Sequence, residues 1–248
     1  MEGVRDTRAP RPRTPGAIVI PLYNEERNVA RVVREIRGAG IDWDILAVDD
    51  GSTDATREVL RDLPVTPISH PINLGYGAAV QTGLRHAVSR GYETVVLMDG
   101  DGQHDPAQVA VLLSALDAGA DIAIGSRFLG DGAGYRIPLL RRAGIGFFSA
   151  LAALLGGTRI RDVTSGFQAM RKPVADFLAE EYPVDFPDAE VIIALGLKKF
   201  RIAEVATRFR IREHGTSMYA NPARAFYYPF KSVLASFIVL LRLIREKK

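Results

Sequence analysis

Apolar residues in this chain fall into short runs separated by stretches of helical period. Ala17-Ile18-Val19-Ile20 is followed by Val29, Val32, Val33 and Ile36, spaced as on one face of a helix. Ile45 to Val48 precedes a short helix around Val59 and Leu60, and a third strand is predicted near Pro67 to Ser69, ahead of Val80, Leu84, Ala87 and Val88. Val95-Val96-Leu97-Met98 is the fourth run, and the helix after it carries Val109, Leu112, Leu113 and Leu116. Asp121 to Gly125 is the fifth, running into Ser126-Arg127. Runs without polar alternation read as strands buried on both faces. Alternating with helices, they predict an α/β fold with a mostly parallel sheet covered on both sides.

The pattern changes after Arg127. Leu139 to Leu155 predicts a helix rich in large apolar residues with Arg141 and Arg142 near its start, either a core helix or one lying at a membrane interface. Asp162 to Met170 reads as a loop entering a strand, and Asp185 to Glu190 as an acidic, proline-broken loop before an apolar helix, Val191 to Leu197. Arg201 to Val205 and Arg208 to Arg212 read as strands. Ser232 to Leu241 is apolar over only half of the roughly 20 residues that a bilayer span requires. Bracketed by Lys231 and Arg242, it predicts an amphipathic helix at an interface, docked on a membrane partner or packed on its own domain. The expected organisation is a disordered basic tail over 1–15, one catalytic domain over 16–220 and this terminal helix over 221–248.

Composition narrows the chemistry. With 248 residues and 47% hydrophobic content the chain can bury a sizeable core. The absence of cysteine removes disulfides, thiolate metal sites and cysteine nucleophiles, and the four histidines show no zinc spacing, so any metal must be held by oxygen. A net charge of +3 fits an anionic substrate or lipid surface. No clustered basic and aromatic face points to nucleic acid. No hydrophobic segment behind the arginines of the amino-terminal tail is long enough for a signal peptide.

The candidate chemistry sits where the runs end. Met98-Asp99-Gly100-Asp101-Gly102-Gln103-His104 turns from apolar strand to acid and glycine at the carboxyl end of the fourth run, where open α/β sheets bind ligands. Asp99 and Asp101, two apart in a loop, can share one small volume, and Gln103 adds a neutral oxygen. Such hard donors suit Mg2+ or Mn2+ holding a diphosphate. An Asp-Gly turn ahead of a helix starting at Pro106 fits the same residues. Asp50 after the second run, and Tyr23 with Glu25 after the first, are expected on the same edge.

These stretches, together with Asn73-Leu74-Gly75-Tyr76-Gly77, Gly125-Ser126-Arg127-Phe128, Asp162-Val163-Thr164-Ser165-Gly166-Phe167 and Arg212-Glu213-His214-Gly215-Thr216-Ser217, resemble the family-2 inverting glycosyltransferases of the GT-A fold. The branch most similar is that of dolichyl- and polyprenyl-phosphate sugar synthases. The resemblance implies that Pro21, Tyr23 and Glu25 contact the nucleotide base and ribose, that Val48 and Asp50 recognise the base, and that Asp99, Gly100, Asp101 and Gln103 form the metal and diphosphate site. It places Arg127 towards an acceptor phosphate and Arg212 on the donor diphosphate or the acceptor. Asp188 and Glu190 stand where many relatives carry a catalytic base. Two departures are Tyr76, where many relatives have a basic residue, and Met218, where lysine is common.

The function so implied is metal-dependent transfer of glucose or mannose from a UDP- or GDP-sugar to a polyprenyl or dolichyl phosphate, by an enzyme peripheral to the cytoplasmic face of a membrane. A membrane surface or a small membrane protein would be its partner. A hydroxyl acceptor, which would need Asp188 or Glu190 as base, and a non-catalytic nucleotide-sugar binder are the competing readings.

Overall fold

The computed structural model describes residues 15–129, 139–183 and 189–210, with side chains from 144 onwards in the second stretch. The amino-terminal tail, Asp188, Arg212 and the carboxyl-terminal helix expected over 221–248 lie outside the described residues. Strands β1 (Gly16–Leu22), β2 (Asp44–Asp49), β3 (Thr66–Ser69), β4 (Thr94–Leu97), β5 (Ile122–Ser126), β6 (Gln168–Arg171) and β7 (Ile202–Ala206) form one sheet in the order β3-β2-β1-β4-β6-β5-β7. All neighbouring pairs are parallel except those of β6, which runs antiparallel to both β4 and β5. Because β6 reverses twice over, β4 and β5 still point the same way. The carboxyl ends of β1, β2, β4 and β5 therefore share one edge.

The apolar runs are continuous because both faces are covered. Val19, Leu46, Val48, Val95, Leu97, Ile122 and Ile124 pack with α3 (Tyr76–Arg90), α5 (Leu139–Gly156), α6 (Lys172–Glu181) and α7 (Ala189–Leu197). Ile18, Ile20, Ile45, Ala47, Val96, Met98 and Ala123 pack on the other face with α1 (Val29–Gly38), α2 (Thr56–Arg61) and α4 (Val109–Asp117). Successive residues thus serve opposite layers, as the two-residue period of a strand requires.

Lys172–Glu181 forms α6, a helix that was not expected, and three local expectations are corrected. The helix after the acidic loop starts at Ala189, so Glu190 lies in its first turn. The predicted strand over Arg208 to Arg212 reduces, in its described part, to a single antiparallel bridge between Phe209 and His104. The tail is already tied down at Pro15, whose carbonyl accepts from the amide of Glu93 at 3.2 Å.

Helices α5 and α7 cross through glycine. A Cβ on Gly196 would fall inside the backbone of Gly156, and one on Gly156 would lie 3.0 Å from Ile193 Cα. Gly196→Ala is expected to lower stability by about 1–3 kcal/mol through overpacking. Gly146→Ala, at an exposed point of α5 with nothing within 4 Å, is expected to raise it by roughly 0.5–1 kcal/mol by helix propensity. Urea unfolding of the two variants checks both signs.

Candidate active site

The site opens where β1 parts from β4. The ladder to β4 ends at Val19 and Leu97, whereas the ladder to β2 continues to Leu22 and Asp49. Val19 O accepts from Met98 N on the β4 side, and Leu22 O from Asp50 N on the β2 side. Odd residues of β1 therefore turn their backbone groups towards β4. Pro21, which has no N–H, sits on that side just past the end of the ladder, where none is needed. The divergence forms the crevice expected at a switch point of strand order.

The loops after β1 and β2 are laced together. Asn24, in the left-handed region at φ 56°, donates its amide to Ser52 Oγ at 2.9 Å and accepts from Thr53 N at 2.8 Å. Glu25 N donates to Thr56 Oγ1, Glu26 N to Asp54 Oδ2, and Ala55 N to Glu26 Oε2. Glu25 itself is buried, with Oε2 accepting from Asn28 Nδ2 at 2.6 Å. Gly51, at φ 68°, lets the backbone of Ile72 and Asn73 pass where a Cβ would collide.

The paired aspartates here face inwards. Asp49 is fully buried and accepts from Arg57 Nε and Nη2 at 3.1 and 3.0 Å. Asp50, 2% exposed, accepts from His70 Nδ1 at 2.7 Å, Leu74 N at 2.9 Å and Gly75 N at 2.8 Å. His70 continues to Thr82 Oγ1 at 2.9 Å. Asp50 thus clamps the 73–77 loop onto the sheet. The Val48 side chain is buried, packed in the core against α3 near Gly83. Of the residues expected around the base, Tyr23 is the exposed one, at 47%.

Across the crevice the chain after β4 forms the second half of the site. Asp99 Oδ1 accepts from Tyr76 Oη at 3.0 Å, and Asp101 Oδ1 from Gln103 N at 3.0 Å. Gly100 lies against Leu22 and the Pro21 carbonyl, and Gly102, at φ 77°, against the Arg31 guanidinium. Gln103 Nε2 donates to the Arg210 carbonyl at 3.3 Å, so the amide oxygen is the atom left for a ligand. Asp105 accepts from Ala107 N and starts a single 3-10 turn at Pro106, so the capping expected of an Asp-Gly turn falls to a different aspartate.

His104 underlies this loop. Its Nδ1 accepts the amide hydrogen of Asp99 at 3.0 Å, which requires a neutral ring with its hydrogen on Nε2, 3.6 Å from Asp99 Oδ2. Burial pushes its pKa down to about 4; the Arg127 charge adds to the shift and Asp101 and Asp162 oppose it. Phe167 stacks on the ring at 4.9 Å and Phe209 meets it edge-on at 5.2 Å.

Arg127 is held rather than reaching out. Its Nε and Nη2 grip Asp162 at 2.8 and 2.6 Å, its amide donates to the same carboxylate, and Nη2 also donates to Thr164 Oγ1 at 2.6 Å. Phe209 lies 5.4 Å beneath the guanidinium. Arg210 fixes the chain beyond, through Glu35 at 2.6 Å and Asp105 at 3.0 Å. Glu190 is fully buried in α7. Asp99, Gly100, Asp101 and Gln103 therefore lie in one loop, with Gly100 against Leu22 and the Pro21 carbonyl, and Tyr23 is exposed just past β1 on the same sheet edge. Asp162, His70, Phe209 and Gly166 shape it unforeseen; of these only Gly166 and Asp162 carried a signal, inside the 162–167 motif.

The donor set suits a divalent cation. Among the described residues no three histidine or acidic side chains converge as a closed metal cage. Two part-exposed carboxylates and an amide oxygen instead fit an ion that keeps waters and shares a substrate's phosphates. One hydrogen bond does not exhaust a carboxylate oxygen.

The sheet with its one reversed strand is that of the GT-A glycosyltransferases. Glucosyl-3-phosphoglycerate synthase from Mycobacterium tuberculosis, solved with Mn2+ and UDP-glucose, aligns over 91% of this chain and 78% of its own at a TM-score of 0.64, with 20% identity. The chain belongs to glycosyl transferase family 2, whose sequence profile matches residues 17–178, and is a glycosyltransferase. Among similar sequences are the polyprenol monophosphomannose synthase of Mycolicibacterium smegmatis, 36% identical over 67% of this chain and 65% of that one, and the UDP-N-acetylglucosamine–dolichyl-phosphate N-acetylglucosaminyltransferase of Methanococcus voltae, 29% identical over 82% and 89%.

The Arg127–Asp162 pair is the buried ion pair of the site, with side chains 9% and 0% exposed. Asp162→Ala, which strands the guanidinium, is expected to cost about 3–5 kcal/mol. Arg171→Ala, which breaks an exposed pair with Asp117, is expected to cost under about 1 kcal/mol. Chemical denaturation of both variants tests the contrast.

Proposed function

We propose that this glycosyltransferase moves a hexose from a UDP- or GDP-sugar to a polyprenyl or dolichyl phosphate, with inversion, and that Asp99, Asp101 and Gln103 hold Mg2+ or Mn2+ as it does so. The observation that carries the reading is the meeting of Asp99 and Asp101, part-exposed in one loop, with the divergence of β1 and β4. The acceptor class is supported by relatives that share a lipid phosphate in their names while differing in the sugar.

The chemistry follows from charge. A divalent cation bound at these oxygens offsets the negative charge that builds on the departing nucleoside diphosphate. Tyr23, exposed at the rim beside the interlocked loops, offers a surface for the base. The acceptor oxygen attacks the anomeric carbon from the face opposite the leaving diphosphate. A phosphate acceptor is already ionised near neutral pH, so it needs no strong base. Glu190 supports that choice: with no exposed surface, it is poorly placed to take a proton from an incoming hydroxyl. Arg127, locked to Asp162, supports the site by holding the 162–166 loop.

No helix among the described residues is long and apolar enough to cross a membrane. We assign membrane contact to the lipid acceptor and to the cationic and apolar stretches read from the sequence, at the cytoplasmic face.

Purified enzyme assayed with radiolabelled UDP- and GDP-hexoses and a short polyprenyl phosphate tests the reading. Transfer to the lipid is expected with Mg2+ or Mn2+ and lost with chelator. Asp101→Asn is expected to lower kcat by about a hundredfold or more, as for loss of an electrostatic stabiliser of the leaving group. Glu190→Gln is expected to retain kcat within about threefold, since no general base is removed. Transfer to sugar hydroxyls but not to lipid phosphate would overturn the assignment.

A further inference from the structure

Asp99 occupies a slot made by two residues to which no role has yet been given. Tyr76 opens α3, and its hydroxyl donates to Asp99 Oδ1 at 3.0 Å. Its position is fixed from behind. Asp50 accepts the amide hydrogens of Leu74 and Gly75, and Gly75 takes φ 99° to start the helix. On another side stands Gly166. A Cβ there would lie 2.8 Å from Tyr76 Oη and 3.0 Å from each oxygen of Asp99. The approach to Tyr76 Oη is closer than Cβ atoms come and those to Asp99 are tight, so one methyl group would displace the phenol and crowd the carboxylate.

The loop bearing Gly166 is equally constrained. Asp162 is gripped by Arg127, the Ser165 carbonyl accepts from Gln168 Nε2 at 2.9 Å, and Phe167 N donates to Ser165 Oγ at 3.3 Å. Neither wall of the slot is free to follow the carboxylate if it turns.

We propose that Tyr76 and Gly166 are positioning residues that hold the Asp99 carboxylate in the orientation in which it receives the divalent cation. The proposal rests on the reading of Asp99 and Asp101 as cation ligands. A ligand oriented in advance loses little side-chain freedom on binding, and the partners that orient metal ligands are commonly worth ten- to a hundredfold in metal affinity. Tyr76 orients by donating a hydrogen bond, and Gly166 by lacking a Cβ that would crowd both oxygens of the carboxylate. The 73–77 loop, clamped by Asp50, is thereby linked to the cation site across the crevice.

The test is Mn2+ binding to the full chain in the presence of UDP or GDP, read from the paramagnetic resonance of free Mn2+, with melting temperature followed in parallel. Tyr76→Phe keeps the ring and removes only the hydroxyl; it is expected to raise the half-saturating Mn2+ concentration about tenfold. Gly166→Ala is expected to raise it at least as much. Adding Tyr76→Phe to Asp99→Asn is expected to change Mn2+ binding no further, because the two share one route. If Gly166→Ala fails to fold, Tyr76→Phe decides alone. Wild-type half-saturation in Tyr76→Phe, with Asp101→Asn still weakening Mn2+, would overturn the positioning role and leave the cation site standing. Mn2+ binding that is absent from the wild type, or unaltered in Asp101→Asn, would overturn the cation reading and this proposal with it.

Discussion

Like charges gathered on one edge of a sheet repel, and the order in which this protein compensates them sorts its acids by role. Asp49, Asp50 and Asp162 are under 3% exposed. The first is held by Arg57, the second by His70 and two amides, the third by Arg127. A carboxylate so deeply buried costs several kcal/mol unless its partners stay in place, so it serves the fold that surrounds it. Asp99 keeps 31% of its side chain exposed, and Asp101 is also part-exposed. Solvent still reaches these two, so a hydrated ion can reach them as well. The gradient of burial, more than the number of aspartates, separates acids that build the crevice from acids that solvent still reaches.

The neutrality of His104 belongs to the same constraint. A charged imidazolium under the loop would pair with Asp99 and compete with a cation for the same oxygens. Burial prevents it, holding the ring's pKa near 4, and the amide of Asp99 supplies the hydrogen that a neutral Nδ1 accepts. Phe167 stacks on the ring, Phe209 meets it edge-on, and the ring is buried. The sheet edge thus carries a polar floor without adding positive charge directly beneath the acids.

Much of the fold was legible because parallel strands buried on both faces must be written as unbroken apolar runs, and β1, β2, β4 and β5 are. The 98–104 stretch was legible for the complementary reason: acid and glycine directly after such a run have no place in a core. What escaped shows where one-dimensional patterns fail. β6 was read as a strand entered from the 162–167 loop, but nothing in Gln-Ala-Met-Arg announces that it runs antiparallel between β4 and β5. The hold of Asp50 on the 73–77 loop escaped as well, because that loop arrives from more than twenty residues away. The Asp162–Arg127 pair spans 35 residues and leaves no trace in local spacing.

That pair also bears on why an arginine stands at the end of β5. An ion pair this dry contributes little net stability, because desolvating both charges offsets their attraction. What it supplies is direction: the guanidinium is a rigid planar fork, and two oxygens of one carboxylate fix its plane. With that plane set, the guanidinium also holds Thr164 of the 162–166 loop by a hydrogen bond and lies over Phe209. A lysine would supply the charge without the plane. The same loop brings Gly166 against Asp99. The arginine thus fixes, through Asp162 and Thr164, the loop that leaves Asp99 its space.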